Sequence, residues 1–122
     1  MQIRVYYEDT DAGGVVYHTN YIKYCERARS ELFFAKGKSV SENNCHFVVK
    51  SLQANFIKPA KLGDLLTVKT SVLDHKKASL TVRQSIFKEE IELFNADILL
   101  AYVCEGRPKR IDEETLQFLL SQ

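Results

Sequence analysis

The sequence is poor in the residues that mark unusual classes of protein. Its 122 residues include three cysteines, two prolines, five glycines and no tryptophan. The cysteines, Cys25, Cys45 and Cys104, are odd in number and show no CxxC spacing, so they indicate neither a disulfide framework nor a zinc knuckle. We predict three buried, reduced thiols, as is usual in a reducing cytoplasm.

Neither charge nor hydrophobicity is concentrated along the chain. The formal net charge of +1 creates no general field for nucleic acid or an anionic membrane surface, so no nucleic-acid partner is predicted. No apolar run approaches the ~18 residues needed to cross a bilayer. The start, Met1 to Arg4, lacks the apolar core of a signal peptide. We therefore expect a cytoplasmic protein without a membrane span.

What is present is the composition of one globular domain. The hydrophobic content of 45% is ordinary, and we find no internal repeat, low-complexity tract or linker. We predict a single domain over residues 1–122, a length that can bury an adequate core without disulfides or a metal.

The spacing of apolar residues predicts the order of the elements. Alternation predicts a short strand over 2–7, and a helical stripe predicts a helix over 20–36 with Thr19 or Asn20 as its N-cap. Period-two alternation then predicts strands around 52–56, 66–72, 80–86 and 91–104. The last of these is apolar on both faces near its middle, which favours a central place in the sheet. A short helix should follow Asp112.

The links between these strands are short, at 58–64, 74–77 and 88–90, which favours antiparallel neighbours. The layout is α+β, with one antiparallel sheet and a helix packed on one of its faces. The other face, or an edge strand, needs cover, and oligomerisation is its simplest source.

One segment, residues 7–21, is dense in groups that can carry chemistry. It contains the carboxylates of Asp9 and Asp11, two glycines, and His18 just before the predicted helix. A helix start offers unpaired N–H groups that can bind an anion or a developing oxyanion. The segment therefore suggests a carbonyl-polarising site with a carboxylate as base or nucleophile. The alternative is a helix entry whose polar residues only cap and turn the chain.

The same segment carries a resemblance to a known family. The run YYEDTDAGGVVYHTNYIKYCERAR, residues 6–29, resembles the signature of the 4-hydroxybenzoyl-CoA thioesterase family, in particular the YbgC-like acyl-CoA thioesterases. Residues 57–64 and 106–111 resemble the second recurring loop and the end of that family. The similarity thus extends over nearly the whole chain.

The resemblance implies a hotdog fold, in which an antiparallel sheet wraps around a long central helix. It implies an acyl-CoA thioesterase without cofactor or metal, whose substrate is carried by coenzyme A or acyl carrier protein. It also implies a homodimer or homotetramer with active sites at subunit interfaces.

Residue by residue, the resemblance places the family's catalytic aspartate at Asp11, its histidine at His18 and the tyrosine before the motif at Tyr7. The backbone N–H that polarises the thioester carbonyl falls at position 18. Val16 and Tyr17, which come just before, are expected to contact substrate.

Five basic residues are candidate clamps for the phosphates of coenzyme A, because Arg and Lys suit phosphate oxygens. They are Lys58, Lys61, Arg107, Lys109 and Arg110. The alternative for each is an ordinary solvated surface charge.

Other candidates for catalysis are weaker. Asp9 is expected to satisfy loop N–H groups, and Glu26 is a minor candidate because other hotdog subfamilies use that helix position. His46 and His75 show no ligand spacing with acids, so no metal site is predicted. Two other functions remain open: a hotdog dehydratase or hydratase, and a protein that binds acyl groups without turnover.

Overall fold

The computed structural model describes all 122 residues, and its sheet curls around one long helix. The strands are β1 (Gln2–Arg4), β2 (Cys45–Phe56), β3 (Leu65–His75), β4 (Ser79–Lys88), β5 (Ile91–Cys104) and β6 (Arg107–Pro108). The helices are α1 (His18–Phe34) and α2 (Glu113–Leu120), with a 3-10 helix at Tyr7–Asp9. The predicted α+β layout and the helix after Asp112 are confirmed.

Helix α1 begins two residues earlier than predicted. Its N-cap is Tyr17, which makes no side-chain cap hydrogen bond, so the prediction of Thr19 or Asn20 as N-cap is wrong. The Asn20 side chain instead donates to the backbone of the preceding loop, to Asp9 O at 2.8 Å. The start of α1 is therefore left without a side-chain cap. Its buried face, formed by Tyr21, Tyr24, Cys25 and Ala28, packs on the sheet.

The sheet is antiparallel with the order β1-β3-β4-β5-β2, and β6 pairs with the end of β5. β5 has a strand on each side, as its predicted central position requires, but it lies next to the edge strand β2 and its outer face is only half-buried. The prediction that the 58–64 link joins neighbouring strands is wrong, because β5 and β4 lie between β2 and β3. The distance from β2 to β3 across the sheet is three strand spacings, or only about 14 Å. A link of eight residues, 57–64, can span up to ~26 Å, so a short loop does not require adjacent strands.

The core lies between α1 and the concave face of the sheet. Along β5, side chains that face α1 are buried and those on the outer face are half-buried. The two buried polar side chains are Asp9, in the loop before α1, and Gln84, which is fully buried on β4. Burying an amide is costly unless its polar atoms are bonded, so this position requires a set of partners.

The cysteine prediction is correct for one residue and wrong for two. Cys25 is free and buried, and burial raises the pKa of its thiol to about 11. Cys45 and Cys104 are joined by a disulfide. They lie directly opposite one another on β2 and β5, a pairing that a sequence separation of 59 residues does not reveal.

Strand β2 forms an open edge of the sheet, since its only partner is β5 apart from a single bridge at its first residue. Four large apolar side chains on it are 38–53% exposed: Val48, Val49, Leu52 and Phe56. An exposed edge with apolar side chains is a template for pairing with another chain. The need for cover predicted from the sequence thus falls on this strand. Neither helix is long and apolar enough to cross a membrane.

Candidate active site

The loop before α1 is a tight hairpin that carries Asp11. The backbone of Asp11 donates to Val15 O at 2.8 Å, and Thr10 pairs with Val16. Gly14, at the turn, has a φ of +80°, a conformation that side chains with a Cβ rarely adopt. The turn pairs Asp11 with Val15, three residues before α1 begins, so one short segment carries both the carboxylate and the helix start.

The Asp11 carboxylate is held by one oxygen and free at the other. Its Oδ1 accepts a hydrogen bond from the Gly13 N–H at 2.8 Å, and its Oδ2 has no partner in the chain. The side chain is exposed. One bond is enough to orient the carboxylate, while the second oxygen can accept a proton from water or attack a carbonyl carbon.

The start of α1 supplies the complementary groups. The backbone N–H groups of His18 and Thr19 have no acceptor within the chain. They carry the partial positive charge of the helix N-terminus, and no side-chain oxygen occupies them. Two free backbone donors at a helix start form a place where a carbonyl oxygen can gain negative charge.

Asp9 connects the hairpin to the helix. Its carbonyl oxygen accepts from the Tyr17 N–H at 2.9 Å and from the Asn20 side chain at 2.8 Å, and its carboxylate accepts from the Tyr6 N–H at 2.9 Å. Asp9 is buried, unlike Asp11. Burial and the Asp9 charge both raise the pKa of the neighbouring Tyr24 hydroxyl. Through these contacts Asp9 stabilises the loop, as expected from the sequence.

The loop after β2 packs against the same hairpin. Val16 N–H donates to Ala60 O, and Ala60 N–H donates to the Tyr21 hydroxyl, both at 2.9 Å. Lys61 pairs with Val15. Asp64 closes this loop: burial works against its ionisation, but hydrogen bonds from the Lys61 N–H and the Lys88 ammonium hold the pKa of its carboxyl below the usual range.

Aromatic rings surround the helix start. The His18 ring lies 4.6 Å from that of Tyr17 and 6.3 Å from that of Phe56, measured between centroids. Tyr21 stacks on Phe94 at 5.1 Å, behind Phe56. The site is therefore at the end of the sheet where β2 finishes and β5 begins.

The structure brings together some of the predicted residues. Asp11, His18 and Tyr17 lie around the helix start, and Lys58 and Lys61 are exposed on the adjoining loop. The Tyr7 side chain is 84% exposed and makes no hydrogen bond, so nothing within one chain holds it at Asp11. Val16 is buried in the core, where its side chain cannot line a surface site.

The three remaining basic residues, Arg107, Lys109 and Arg110, lie at the opposite end of the sheet. Arg107 pairs with Cys104, which faces Cys45 at the start of β2. The other end of β2, Phe56, contacts His18. At ~3.3 Å per residue, the eleven steps from Cys45 to Phe56 correspond to about 36 Å. One chain cannot place these residues and Asp11 on the same side of a small site.

Sequence reasoning missed Asn20, Tyr21 and Phe56 as parts of the site. Asn20 and Tyr21 stand within the recognised motif, but their hydrogen-bond partners lie on loops whose positions the motif does not show. No group of three or more His, Cys, Asp or Glu side chains is arranged to hold a metal ion.

An antiparallel sheet curled around one long helix, with a carboxylate loop leading into an uncapped helix start, defines a hotdog-fold protein. The crystal structure of a probable thioesterase from Bartonella henselae has the same fold, with a TM-score of 0.86 and 35% identity over 92% of this chain and 97% of that one. The thioesterase superfamily matches residues 13–94. This chain belongs to that superfamily, as its motif predicted.

Two relatives that are named as acyl-CoA thioesterases support this membership. The acyl-CoA thioesterase YbgC of Helicobacter pylori is 47% identical over 87 residues, which are 71% of this chain and 65% of that protein. The match thus spans slightly less than two thirds of that relative's length. YbgC of Haemophilus influenzae is 42% identical over 113 residues, which are 89% of this chain and 83% of that protein.

Proposed function

We propose that this protein hydrolyses acyl-CoA thioesters to a carboxylic acid and coenzyme A. The observation that carries the proposal is that one segment holds both the free Oδ2 of Asp11 and the unpaired N–H groups of His18 and Thr19. The names of the YbgC relatives support the same activity.

Thioester hydrolysis requires few catalytic groups. The thioester carbonyl oxygen accepts from the helix-start N–H groups, which stabilise the oxyanion by roughly 3–4 kcal/mol per donor in other acyl-transfer enzymes. Asp11 either removes a proton from the attacking water or attacks the carbonyl carbon itself and forms an anhydride that water then opens. The C–S bond breaks and the sulfur leaves as thiolate, because a thiol pKa of roughly 8.5 makes strong acid assistance unnecessary. In this proposal the His18 ring orients the water, and the Tyr7 hydroxyl forms a hydrogen bond near the carboxylate.

The complete site needs a second copy of the chain. A two-fold dimer through the β2 edge pairs β2 with its own copy in antiparallel orientation. The partner's β2 start, next to the partner's basic residues 107–110, then lies beside this chain's Phe56 and helix start. We infer that Arg107, Lys109 and Arg110 bind the phosphates of coenzyme A in trans, while Lys58 and Lys61 act in cis. Pairing of dimers into a tetramer would cover the half-buried outer face of β5.

A thiol-release assay over a panel of acyl-CoAs tests the proposed activity. We expect free coenzyme A and free acid in equal amounts. A dehydratase or hydratase would change the acyl chain without releasing thiol, and a binding protein would bind acyl-CoA without turnover; either result contradicts the proposal. The same acyl groups on acyl carrier protein establish which carrier is preferred.

Asn20 is proposed as a positioning residue. Its side-chain bond to Asp9 O fixes the helix start relative to the hairpin, and misplacing reacting groups by about 1 Å can lower turnover roughly 100-fold. We expect Asn20→Ala to lower kcat about tenfold or more, with KM nearly unchanged. Thr19→Ala, which changes an exposed side chain without hydrogen bonds, is the matched control. Equal kinetics for the two variants would refute the positioning role.

A further inference from the structure

A large cavity lies between α1 and the concave face of the sheet. Its volume is about 850 Å³, and 12 of its 21 lining residues are hydrophobic. That is within the range of sites for small organic ligands. It extends from Ile22 on α1 to Leu119 on α2 and includes side chains of β2, β3, β4 and β5. We call it the α1 cavity.

The α1 cavity follows the helix face that starts at the candidate active site. Ile22, Arg29 and Phe33 line it, and they follow His18 by four, eleven and fifteen residues. At 3.6 residues per turn, all three stay within about 60° of His18 around the helix. Ile22 is one turn beyond the free N–H of His18. An acyl group whose carbonyl is bound there would therefore extend along this face into the cavity.

Arg29 brings a positive charge into the cavity without a counter-ion. The side chain is half-buried, and the two ion pairs of the structure, Arg83–Asp97 and Lys88–Asp64, lie elsewhere. Burial lowers the pKa of its guanidinium below the usual value, although interactions with Cys25 and Glu26 oppose that shift. Lys23 and Glu26 also line the cavity, but both are exposed and offset one another.

Gln84 holds the Arg29 side chain in place. The Gln84 amide nitrogen donates to Cys25 O at 2.9 Å and to Thr70 Oγ1 at 3.0 Å, so the amide oxygen must face Arg29, whose Nη1 donates to it at 2.8 Å. A guanidinium has five N–H donors, and only this one is used within the chain. An oriented, half-buried fork of donors in a mostly apolar cavity is suited to a carboxylate.

We propose that the α1 cavity holds the acyl chain of the substrate and that Arg29 binds a carboxylate at its distal end, so that ω-carboxyacyl thioesters are preferred. The proposal rests on the proposed thioesterase function and adds its substrate class. Eleven residues of helix correspond to about 16 Å, and side chains lean toward the helix start. The guanidinium is thus roughly 12 Å from the carbonyl, or about ten bonds at ~1.2 Å each.

The test compares two acyl-CoAs of equal length, about ten carbons, one ending in a methyl group and one in a carboxylate. A hydrogen-bonded charge contact predicts a kcat/KM roughly ten- to a hundredfold higher for the ω-carboxy substrate. Arg29→Met, which keeps the volume, should remove this preference, and Arg29→Lys, which keeps the charge, should restore part of it. Both variants should hydrolyse butyryl-CoA, which is too short to reach Arg29, at the parent rate.

Two results would overturn the assignment while leaving thioesterase activity intact. One is an equal rate for the two long substrates in the parent protein. The other is a preference that survives Arg29→Met. If no acyl-CoA is hydrolysed, the proposed function fails separately, and calorimetric binding of decanoate against decanamide tests the cavity alone, because only decanoate carries a carboxylate. Decanoate should then bind at least about tenfold more tightly, and Arg29→Met should abolish the difference; equal binding refutes the site.

Discussion

Asp11→Asn should lower kcat for acyl-CoA hydrolysis roughly 100- to 10,000-fold, the range seen when a general base or nucleophile is removed. The substitution replaces the free Oδ2 with an amide nitrogen that can neither accept a proton nor attack carbon. The Asn oxygen can still accept the Gly13 N–H bond that Oδ1 accepts in the parent chain. The hairpin should therefore keep its shape, and we expect KM and the melting temperature to change little.

Glu8→Gln is the matched control for this experiment. Glu8 is an exposed carboxylate three residues away that makes no side-chain hydrogen bond, so removing its charge should leave kcat within about twofold. A folded Asp11→Asn protein that turns over acyl-CoA at the parent rate would remove Asp11 from the mechanism.

The two roles open to Asp11 differ in where oxygen from water goes. As a general base, Asp11 leaves the labelled oxygen of H₂¹⁸O in the product acid alone. As a nucleophile it forms an anhydride, and water that attacks the Asp11 carbonyl leaves label in the protein. Mass spectrometry of the peptide containing Asp11 after many turnovers separates the two, with label in the Asp11→Asn peptide as the background.

The local arrangement of the candidate site could be predicted from the sequence because its residues are close together in the chain. Asp11, the glycines and the start of α1 lie within one hairpin, so a motif of consecutive residues contains their arrangement. The prediction of Thr19 or Asn20 as the N-cap failed for a physical reason. Thr19 and Asn20 have the composition of capping residues, but Asn20 bonds to Asp9 O, and the uncapped start keeps its N–H groups free. A local rule failed at the point where the chemistry needs unpaired donors.

The long-range parts could not be predicted. Nothing in the spacing of Cys45 and Cys104 shows that β2 pairs with β5 rather than β3, and their disulfide depends on that pairing. By alternation Gln84 falls on the buried face of β4, but its partners Arg29, Cys25 and Thr70 lie on other elements that the sequence does not bring together. Alternation shows which side chains share a face of a strand, and it does not show which neighbours make a polar side chain acceptable inside the core.

The second prediction with a large expected effect concerns three basic residues, Arg107, Lys109 and Arg110. If they bind coenzyme A only in trans, replacing all three by Gln should raise KM roughly 10- to 100-fold, the sum of three exposed charge contacts. In a homodimer of the triple variant, each site has Asp11 but lacks the basic residues from the partner chain. In a homodimer of Asp11→Asn, each site has the basic residues but lacks Asp11.

Mixing the two variants should restore activity. In a heterodimer, the Asp11 of the triple-variant chain faces the intact basic residues of the Asp11→Asn chain, which makes one complete site of two. Random exchange yields half heterodimers, so about a quarter of the parent sites should return at low substrate concentration. Mixing Asp11→Asn with Asp11→Ala is the control, because no pairing of those chains completes a site.

A heterodimer purified through two different affinity tags sharpens the measurement, because about half of the parent activity is then expected. If the purified heterodimer is no more active than the mean of its two parents, the basic residues do not act across the β2 interface. Within one chain, about 36 Å of β2 separates them from the helix start, which leaves no cis arrangement that could replace it. The outcome therefore decides whether these residues contact coenzyme A at all.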